Sequence, residues 1–226
     1  MSDARRAALY EKWVHPGDLV FDNGANIGNR ARVFARLGAR VVAVEPQPHC
    51  YTALRWVFKF NPNVTVIRAA ASFDNTPQLI TEFETDILST LSQKFSSVLE
   101  SGTRFGTPKP IAKFKVPCVT LDELVHKYGT PVFTKIDVEG YEPEVLAGLT
   151  KPAGTVSFEV TPELPEQAEQ CLARLEALGY QRFQLSLNES MQLLSSWLDA
   201  ASMRERLADF VKYKTDFGDV YALAPD

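Results

Sequence analysis

Residues Asp18 to Gly28 read DLVFDNGANIG, and this stretch decides the fold. Its apolar part, Leu19 to Phe21, predicts a buried β-strand that ends in a turn containing glycine and asparagine. Apolar side chains at helical spacing follow the turn and stop at Gly38, which predicts a short amphipathic helix. An open α/β sheet builds a nucleotide site in this way, because glycine lets the ligand approach the backbone and the helix N-terminus presents free N–H groups.

The turn departs from the dinucleotide fingerprint G-x-G-x-x-G. Asn26 stands where that fingerprint has its second glycine, and Asp22 precedes Gly24 by two residues. A carboxylate at this place repels a pyrophosphate and suits a ligand that carries positive charge. S-adenosylmethionine carries a sulfonium and an ammonium group and no phosphate, so the turn favours this cofactor. A strand–turn–helix unit that binds no ligand is the alternative at this point.

The bulk properties are those of an ordinary globular protein. The chain has 226 residues, of which 45% are hydrophobic and 23% charged, and this length predicts a single α/β domain over residues 1–226. A net charge of −4 without a long basic run gives no reason to expect a nucleic-acid partner. Scattered cysteines and the lack of a signal peptide or of an apolar membrane span predict a cytoplasmic protein.

The second and third predicted strands supply further ligand-side residues. The strand Val41 to Pro46 carries Glu45 at its carboxyl end, close behind the glycine turn. An acidic residue at this place in nucleotide folds accepts hydrogen bonds from the ribose hydroxyls, whereas an exposed strand-end glutamate is the alternative. The third strand, Val64 to Ala70, leads into small residues, and Ala71 among them can lie flat against a purine ring.

Two segments outside the core β–α–β units have expected roles. Residues 1–15 predict an N-terminal helix that leads to the sheet, and residues 73–119 form an insertion. Within the insertion, Ile80 to Asp86 and Lys109 to Thr120 are strand candidates. Because the insertion follows the carboxyl end of the third strand, we expect a flap on the ligand side that sets substrate specificity. Its hydroxyl and basic side chains suit a hydroxyl-bearing or anionic substrate, and equally a solvated flap.

The second informative stretch is VFTKIDVEGYEPEVLAGL, Val132 to Leu149. An apolar strand here ends in Asp137 and Glu139, and the next strand, TVSFEV, carries Glu159 at its carboxyl end. Paired carboxylates at the end of a strand lose hydration and repel one another, and such pairs cluster at functional sites. A helix-capping or ion-pairing role for Glu139 is the structural alternative.

Four motifs together resemble the FkbM family of S-adenosylmethionine-dependent methyltransferases: FDNGANIGN, VVAVEPQP, VTLDEL and KIDVEGYEPEVLAGL. The resemblance covers roughly Asp18 to Val160, and KIDVEGYE after TLDEL is its most specific part. It implies an α/β, Rossmann-like class I methyltransferase fold: a seven-stranded sheet in the order 3-2-1-4-5-7-6 with an antiparallel last strand and helices on both faces. It also implies O-methylation of a hydroxyl group on a sugar or a natural-product-type small molecule.

The motif positions imply where the cofactor lies. The glycine turn would border the methionine part of S-adenosylmethionine, Glu45 would take the ribose, and Asp137 would lie near the transferring methyl group. The implied cofactor-binding residues are Asp22, Gly24, Ala25, Asn26, Gly28, Glu45, Ala71 and Asp137. Asn23 departs from the family pattern, because relatives usually carry a small apolar residue at this place.

Methyl transfer to an alcohol requires an in-line approach of roughly 3 Å and a base that removes the hydroxyl proton. None of the histidines is placed for this role, so we expect a carboxylate base: Asp137 or Glu139 first, and Glu159 second. A divalent metal held by the same carboxylates could instead lower the pKa of the hydroxyl group. The expected partner is a hydroxylated small molecule, with a glycan and a homodimer both left open.

Two other classes of protein remain as alternatives. A nicotinamide-dependent oxidoreductase on a similar sheet is disfavoured by the missing second glycine and by the lack of a Tyr-x-x-x-Lys proton donor. A non-catalytic cofactor-binding protein is disfavoured because a disused site has no reason to retain unpaired carboxylates.

Overall fold

The computed structural model describes residues 3–83, 89–92, 109–188, 190–194, 196–212 and 217–225. The helices in this part of the chain are Asp3–Tyr10, Asn29–Arg36, Pro48–Val57, Leu121–Tyr128, Glu142–Ala147, Pro165–Ala177 and Ala200–Lys212. The first six strands are β1 (Leu19–Asn23), β2 (Arg40–Val44), β3 (Val64–Ile67), β4 (Ala70–Ala71), β5 (Gln78–Phe83) and β6 (Ser89–Thr90). The other strands are β7 (Pro110–Val116), β8 (Cys118–Val119), β9 (Phe133–Ile136), β10 (Thr155–Val160), β11 (Phe183–Leu187) and β12 (Gly218–Ala222).

The central sheet has seven strands in the order β3-β2-β1-β9-β10-β12-β11. Numbered among themselves, these strands follow the order 3-2-1-4-5-7-6, as the family resemblance implies. The pairs are parallel except those of β12, which runs antiparallel to both β10 and β11. The Rossmann-like α/β fold is therefore confirmed. Between β3 and β9 along the chain, the additional strands β4 to β8 form two small sheets that are separate from the main sheet.

The core lies on both faces of the central sheet. Leu19 and Phe21 of β1 belong to one hydrophobic cluster and Val20 belongs to the other, because successive strand side chains point to opposite faces. All five residues of β1 are buried, as expected of a central parallel strand covered by helices on both sides. The helices pack on both faces accordingly.

The N-terminal helix is shorter than residues 1–15, since it ends at Tyr10. The Tyr10 ring packs 4.6 Å from Phe34 and 5.4 Å from Phe133, measured between centroids. Trp13, just beyond the helix, stacks on Phe133 and Tyr221 at 5.6 and 5.4 Å. These contacts fix the segment against the sheet, so its aromatic residues serve packing.

The insertion contains an antiparallel pair, β5 and β7, flanked by β6. The first strand candidate corresponds to β5, and its end at residues 84–86 lies outside the described residues. The second candidate is divided at Pro117 into β7 and β8. The predicted third strand is divided as well: β3 ends at Ile67, and β4 leaves the main sheet to pair in parallel with β8. No helix among the described residues is long and apolar enough to cross a bilayer.

Candidate active site

A cavity of about 710 Å³ opens at the carboxyl ends of β1, β2, β9 and β10. Its volume falls within the roughly 300–1,000 Å³ of pockets that hold small ligands and cofactors. All the cofactor-binding and catalytic residues proposed from the sequence line this cavity, with the exception of Gly28. Those that line it are Asp22, Gly24, Ala25, Asn26, Glu45, Ala71, Asp137, Glu139 and Glu159. The structure thus brings the ends of four strands and β4 together around one space.

Gly28 lies behind the glycine turn. It is the N-cap of helix Asn29–Arg36 with a φ of 87°, a left-handed conformation that favours glycine. A Cβ atom on Gly28 would lie 2.8 Å from Leu54 Cδ2. The residue therefore sets the path of the turn and its packing on the next helix.

Gly24 brings the glycine turn against the loop that follows β9. Its φ is 79°, and a Cβ atom here would lie 1.8 Å from the backbone oxygen of Asp137. The N–H of Gly24 donates to the carbonyl of Val44 at 2.9 Å, which ties the same turn to the end of β2. Only glycine allows the ends of β1, β2 and β9 to meet this closely.

Glu45 is held by the backbone of two loops. Its carboxylate accepts hydrogen bonds from the N–H groups of Asn26 and Gln47, both at 2.8 Å. The side chain is buried, and burial raises the pKa of Glu45 to about 7 although both hydrogen bonds oppose the shift. A carboxylate offers about four lone-pair positions. Glu45 therefore keeps acceptor capacity for hydroxyl groups in the cavity.

Asp22 is buried at the end of β1. Burial raises its pKa to about 6, while the neighbouring Arg30 acts in the opposite direction. Its Oδ2 atom has no hydrogen-bond partner among the described residues. The adjacent Asn23, which departs from the family pattern, donates from its side-chain amide to the carbonyl of Lys135 at 3.0 Å. This side chain thus joins β1 to β9 instead of lining the cavity.

A buried ion network lies beneath the cavity. The ammonium group of Lys135 contacts Asp219 and lies 3.5 Å from Asp137, and Arg30 lies 3.8 Å from Asp137 and 3.7 Å from Asp219. Burial alone would lower the pKa of Lys135, but the two carboxylates raise it above its ordinary value. Burial likewise opposes ionisation of Asp137, but Lys135 and Arg30 hold the pKa of Asp137 below its usual range. Asp137 is therefore a fixed negative charge.

Asp137, Glu139 and Glu159 come together at the cavity wall. Each offers one oxygen, and these oxygens lie within 4.8 Å of one another. Burial, followed by the charges of Asp137 and Glu139, raises the pKa of Glu159 well above its ordinary value. Such a trio of carboxylates can surround a cation, and its most basic member can accept a proton.

The profile of the family described as "Methyltransferase FkbM domain" matches residues 22–182, which is more than half of the chain. The chain belongs to the FkbM methyltransferase family. The match confirms the resemblance carried by the four sequence motifs.

Other known proteins share part of the sequence of this FkbM protein or its fold. An alignment of 88 residues is 39% identical to a ribosomal RNA large subunit methyltransferase E of Archaeoglobus fulgidus, and covers 38% of this chain and 41% of that relative. The chain thus matches about two fifths of the length of this curated relative.

Many solved structures share the fold, among them the following two. The structure of Aeropyrum pernix fibrillarin with natively bound S-adenosyl-L-methionine superposes with a TM-score of 0.52 at 11% identity, covering 96% of this chain and 73% of that chain. A precorrin-6y C5,15-methyltransferase of Geobacter metallireducens gives a TM-score of 0.51 at 13% identity, with 99% and 88% covered. At these identities the likeness is one of fold.

The loop after β9 in this FkbM protein is held by Glu142, whose role the sequence reading missed. The Glu142 carboxylate accepts from the N–H groups of Val138 at 3.0 Å and Gly140 at 3.3 Å. Gln167 donates to the carbonyl of Gly140 at 2.6 Å from the opposite side. Glu139, which stands between Val138 and Gly140, has a φ of 54°, so the loop is fixed in a left-handed turn. The sequence signal for this role was the position of Glu142, a carboxylate two residues after Gly140.

The three histidines of the FkbM chain lie at different places relative to the cavity. His49 lines the cavity beside Cys50, and its Nδ1 lies 3.3 Å from a carboxylate oxygen of Glu82 on β5. His15 precedes β1 and lies 3.5 Å from Asp18, at the opposite end of the strand from the cavity. His126 lies on helix Leu121–Tyr128 and is exposed.

Proposed function

We propose that this protein transfers a methyl group from S-adenosylmethionine to a hydroxyl group of a small molecule, such as a sugar or a natural product. The observation that carries the proposal is the charge of the cavity wall. Five lining residues are carboxylic acids, Asp22, Glu45, Asp137, Glu139 and Glu159, and the lining contains one guanidinium group, that of Arg30. This wall is complementary to a ligand that carries positive charge, and it disfavours a pyrophosphate.

The cavity residues fit S-adenosylmethionine part by part. Glu45 has acceptor capacity for the ribose hydroxyls, and Ala71 offers a small apolar surface to the base. The unpartnered Oδ2 of Asp22 suits the ammonium group of the methionine part, and Arg30 suits its carboxylate. When bound, this cofactor supplies an electrophilic methyl carbon on a sulfonium.

The electrostatics favour Glu159 as the base. A carboxylate with a higher pKa binds a proton more strongly, and burial with the charges of Asp137 and Glu139 raises the pKa of Glu159, whereas Lys135 and Arg30 lower that of Asp137 although burial opposes them. Asp137, held by Lys135 and Arg30, remains charged and orients the site. The order of preference from the sequence, Asp137 or Glu139 before Glu159, is therefore reversed in our proposal. Glu159 would accept the hydroxyl proton of the acceptor; the carbon–sulfur bond of the sulfonium would break as the new carbon–oxygen bond forms, with S-adenosylhomocysteine as the leaving group.

The acceptor lies toward the insertion in this proposal. Ile80 and Leu91 of the insertion line the cavity together with Tyr141 and Phe217. These side chains offer an apolar wall for the body of a small molecule, while the carboxylates face its hydroxyl group. A substrate of this kind needs both an apolar surface and a free hydroxyl.

A divalent metal is a second candidate for activating the hydroxyl group. The oxygens of Asp137, Glu139 and Glu159 within 4.8 Å of one another form a donor set that suits a hard cation. Such a cation would lower the pKa of a bound hydroxyl, and Glu159 would then be a ligand instead of a base. Addition of EDTA to the assay separates these two roles.

The binding part of the test is calorimetric titration with S-adenosylhomocysteine and, separately, NADH. We expect a micromolar Kd for S-adenosylhomocysteine, a loss of about tenfold or more in Glu45→Ala, and no heat with NADH. Binding of NADH alone would identify a nicotinamide enzyme. Silence from both ligands would favour a protein that does not bind a nucleotide cofactor.

The catalytic part of the test is transfer of labelled methyl from S-adenosylmethionine to a panel of hydroxylated small molecules. We expect Glu159→Gln to keep S-adenosylhomocysteine binding and to lose about 100-fold or more in rate. Glu205→Gln, at an exposed glutamate on helix Ala200–Lys212, is the matched control and should be fully active. Label found only in ribosomal RNA would overturn the small-molecule acceptor.

A further inference from the structure

Three apolar side chains project together where helix Pro48–Val57 ends. Trp56 is 73% exposed, Val57 50% and Phe60 88%. We name these three residues the aromatic patch. Phe58 within the same segment is buried and anchors it to the core. Contiguous exposed apolar side chains of this size mark an interaction surface, because folding alone does not favour their exposure.

The aromatic patch is surrounded by positive charge. The ammonium group of Lys59 lies 5.4 Å from the ring centroid of Trp56 and 5.1 Å from that of Phe60. Arg55 lies over the ring of Tyr51 at 5.9 Å. Within the described part of the chain, neither cation forms an ion pair with a carboxylate. Their charges are therefore available to a partner.

The sequence around the aromatic patch contains no acidic residue. Neither Asp nor Glu occurs between Glu45 and Asp74, whereas Arg55, Lys59 and Arg68 fall in this interval. The local charge is thus positive although the whole chain has a net charge of −4. The complementary partner is an anionic one.

We propose that the aromatic patch docks on the surface of a bilayer that contains anionic phospholipids. Trp56, Val57 and Phe60 enter the headgroup region, while Arg55 and Lys59 contact lipid phosphates. Tryptophan and basic side chains are enriched at this interface, because an amphipathic ring suits the headgroup level and each cation adds attraction to anionic lipid.

A second copy of the chain fits the aromatic patch less well. A two-fold interface places the same surface of both copies together, so the cations would face one another without a carboxylate from this segment. A stable protein partner needs about 800 Å² of surface on each side. Three projecting side chains at a helix end provide a smaller surface area than this, whereas the headgroup region of a bilayer is fluid and can surround them.

The fold places the aromatic patch away from the cavity. Helix Pro48–Val57 begins beside cavity residues Gln47 and His49 and extends ten residues, about 15 Å, toward the amino ends of the strands. There the carbonyl of Asn63 accepts from the N–H of Val41 at the beginning of β2. A docked molecule would keep its cavity open to solution, so the proposal is independent of the chemistry in the cavity.

The test is co-sedimentation of the full chain with lipid vesicles of neutral phosphatidylcholine, with and without about 30% phosphatidylglycerol. We expect the partition coefficient to be at least about tenfold higher on the anionic vesicles. The double variant Trp56→Ser, Phe60→Ser should lose about tenfold or more, and Lys59→Glu should abolish the preference for anionic lipid. Phe73→Ser is the matched control, because Phe73 is 47% exposed and lies beside Gly148 instead.

A fluorescence measurement assigns the contact to the aromatic patch. Brominated lipid should quench the wild-type emission, and Trp56→Phe should remove that quenching while Trp13 and Trp197 still emit. Unchanged circular dichroism and S-adenosylhomocysteine binding in each variant would show that the fold is intact.

Three outcomes would overturn the proposal. One is equal partition of the double variant and the wild type, and another is equal binding to neutral and anionic vesicles. The third is a dimer in light scattering that Phe60→Ser disperses, which would assign the aromatic patch to a second copy.

Discussion

The Cα of Gly24 faces the backbone carbonyl of Asp137 so closely that a Cβ atom would lie 1.8 Å from the oxygen. The glycine turn and the loop after β9 are therefore in direct backbone contact, so a shift of either one requires the other to move.

Gly24→Ala should separate the two loops. The clash adds to the cost of a left-handed φ of 79°, so we expect a loss of at least about 2 kcal/mol in the free energy of unfolding. Binding of S-adenosylhomocysteine should fall by more than about tenfold. Gly17→Ala is the control, because Gly17 has a φ of 90° and no atom within 4 Å of its Cβ position. Equal losses of unfolding free energy for Gly24→Ala and Gly17→Ala, measured by urea unfolding, would show that the close approach of Gly24 to Asp137 has no effect of its own.

Binding of S-adenosylhomocysteine should strengthen as the pH rises from about 6 to 8. The pKa of Glu45 is raised to about 7, and only the ionised carboxylate can accept hydrogen bonds from both ribose hydroxyl groups through its two oxygens. Since binding favours the charged form, it should release protons at pH 7, which calorimetry in buffers of different ionisation enthalpy measures. Glu45→Gln should bind more weakly and lose most of this pH dependence. Proton uptake by the wild type would contradict the assignment.

The free protein should become less stable as the pH rises from about 5 to 8. Burial raises the pKa values of Asp22 to about 6 and of Glu45 and Glu142 to about 7, so the folded state holds these protons more tightly than the unfolded state. The stabilisation from each of these protons is complete at pH values below the pKa of the group in the unfolded chain. It is lost as the pH rises from there through the pKa of the group in the folded protein, at up to about 1.4 kcal/mol per pH unit for each group. Urea unfolding at pH 5.5 and 8.0 measures the difference. Greater stability at pH 8.0 would contradict the burial of these acids.

Glu142 should act as a positioning residue for the loop after β9. Glu142→Ala leaves the N–H groups of Val138 and Gly140 without their acceptor, so we expect a loss of about 1–3 kcal/mol in unfolding free energy. The rate of methyl transfer should fall as well, because Asp137 and Glu139 lose their fixed places. Glu142→Gln keeps an acceptor oxygen and should restore both rate and stability. If Glu142→Gln behaves like Glu142→Ala, the loop does not depend on this hydrogen bonding.

Lys135→Met should destabilise the protein by about 3–5 kcal/mol, because it removes the contacting ammonium partner of the buried Asp219 and leaves only the more distant Arg30, at 3.7 Å, beside this carboxylate. Asp219→Asn in the same chain removes that buried charge and should recover a large part of the loss in urea unfolding. Additive losses in the double variant would show that the two side chains are not coupled.

The sequence predicts the elements whose signals are local. The apolar run before Asp22 leads directly into the glycine turn, and Glu45 and Glu159 each stand at the end of their own apolar strand. The structure places these features around one cavity. The order of the strands came from the family resemblance, since periodicity alone does not rank parallel strands.

The remaining features depend on contacts between distant residues. Lys135 in the apolar strand β9 shows that an acidic partner is needed, but that partner, Asp219, lies 84 residues further along the chain. The break between β3 and β4 depends on β8, which pairs with Ala70 and Ala71. The aromatic patch is apolar in sequence like any core segment, and only the structure shows that Trp56 and Phe60 point outward.

The pairing of Lys135 with Asp219 also sets an order of events during synthesis. Lys135 belongs to the centre of the sheet, but its counter-ion on β12 is translated 84 residues later. A nascent chain that has emerged only through β9 and β10 would have to bury an ammonium group with Asp137 as its acidic neighbour. The centre of the sheet can therefore close fully only after β12 has left the ribosome, so native packing is coupled to the last strand of the sheet to be made.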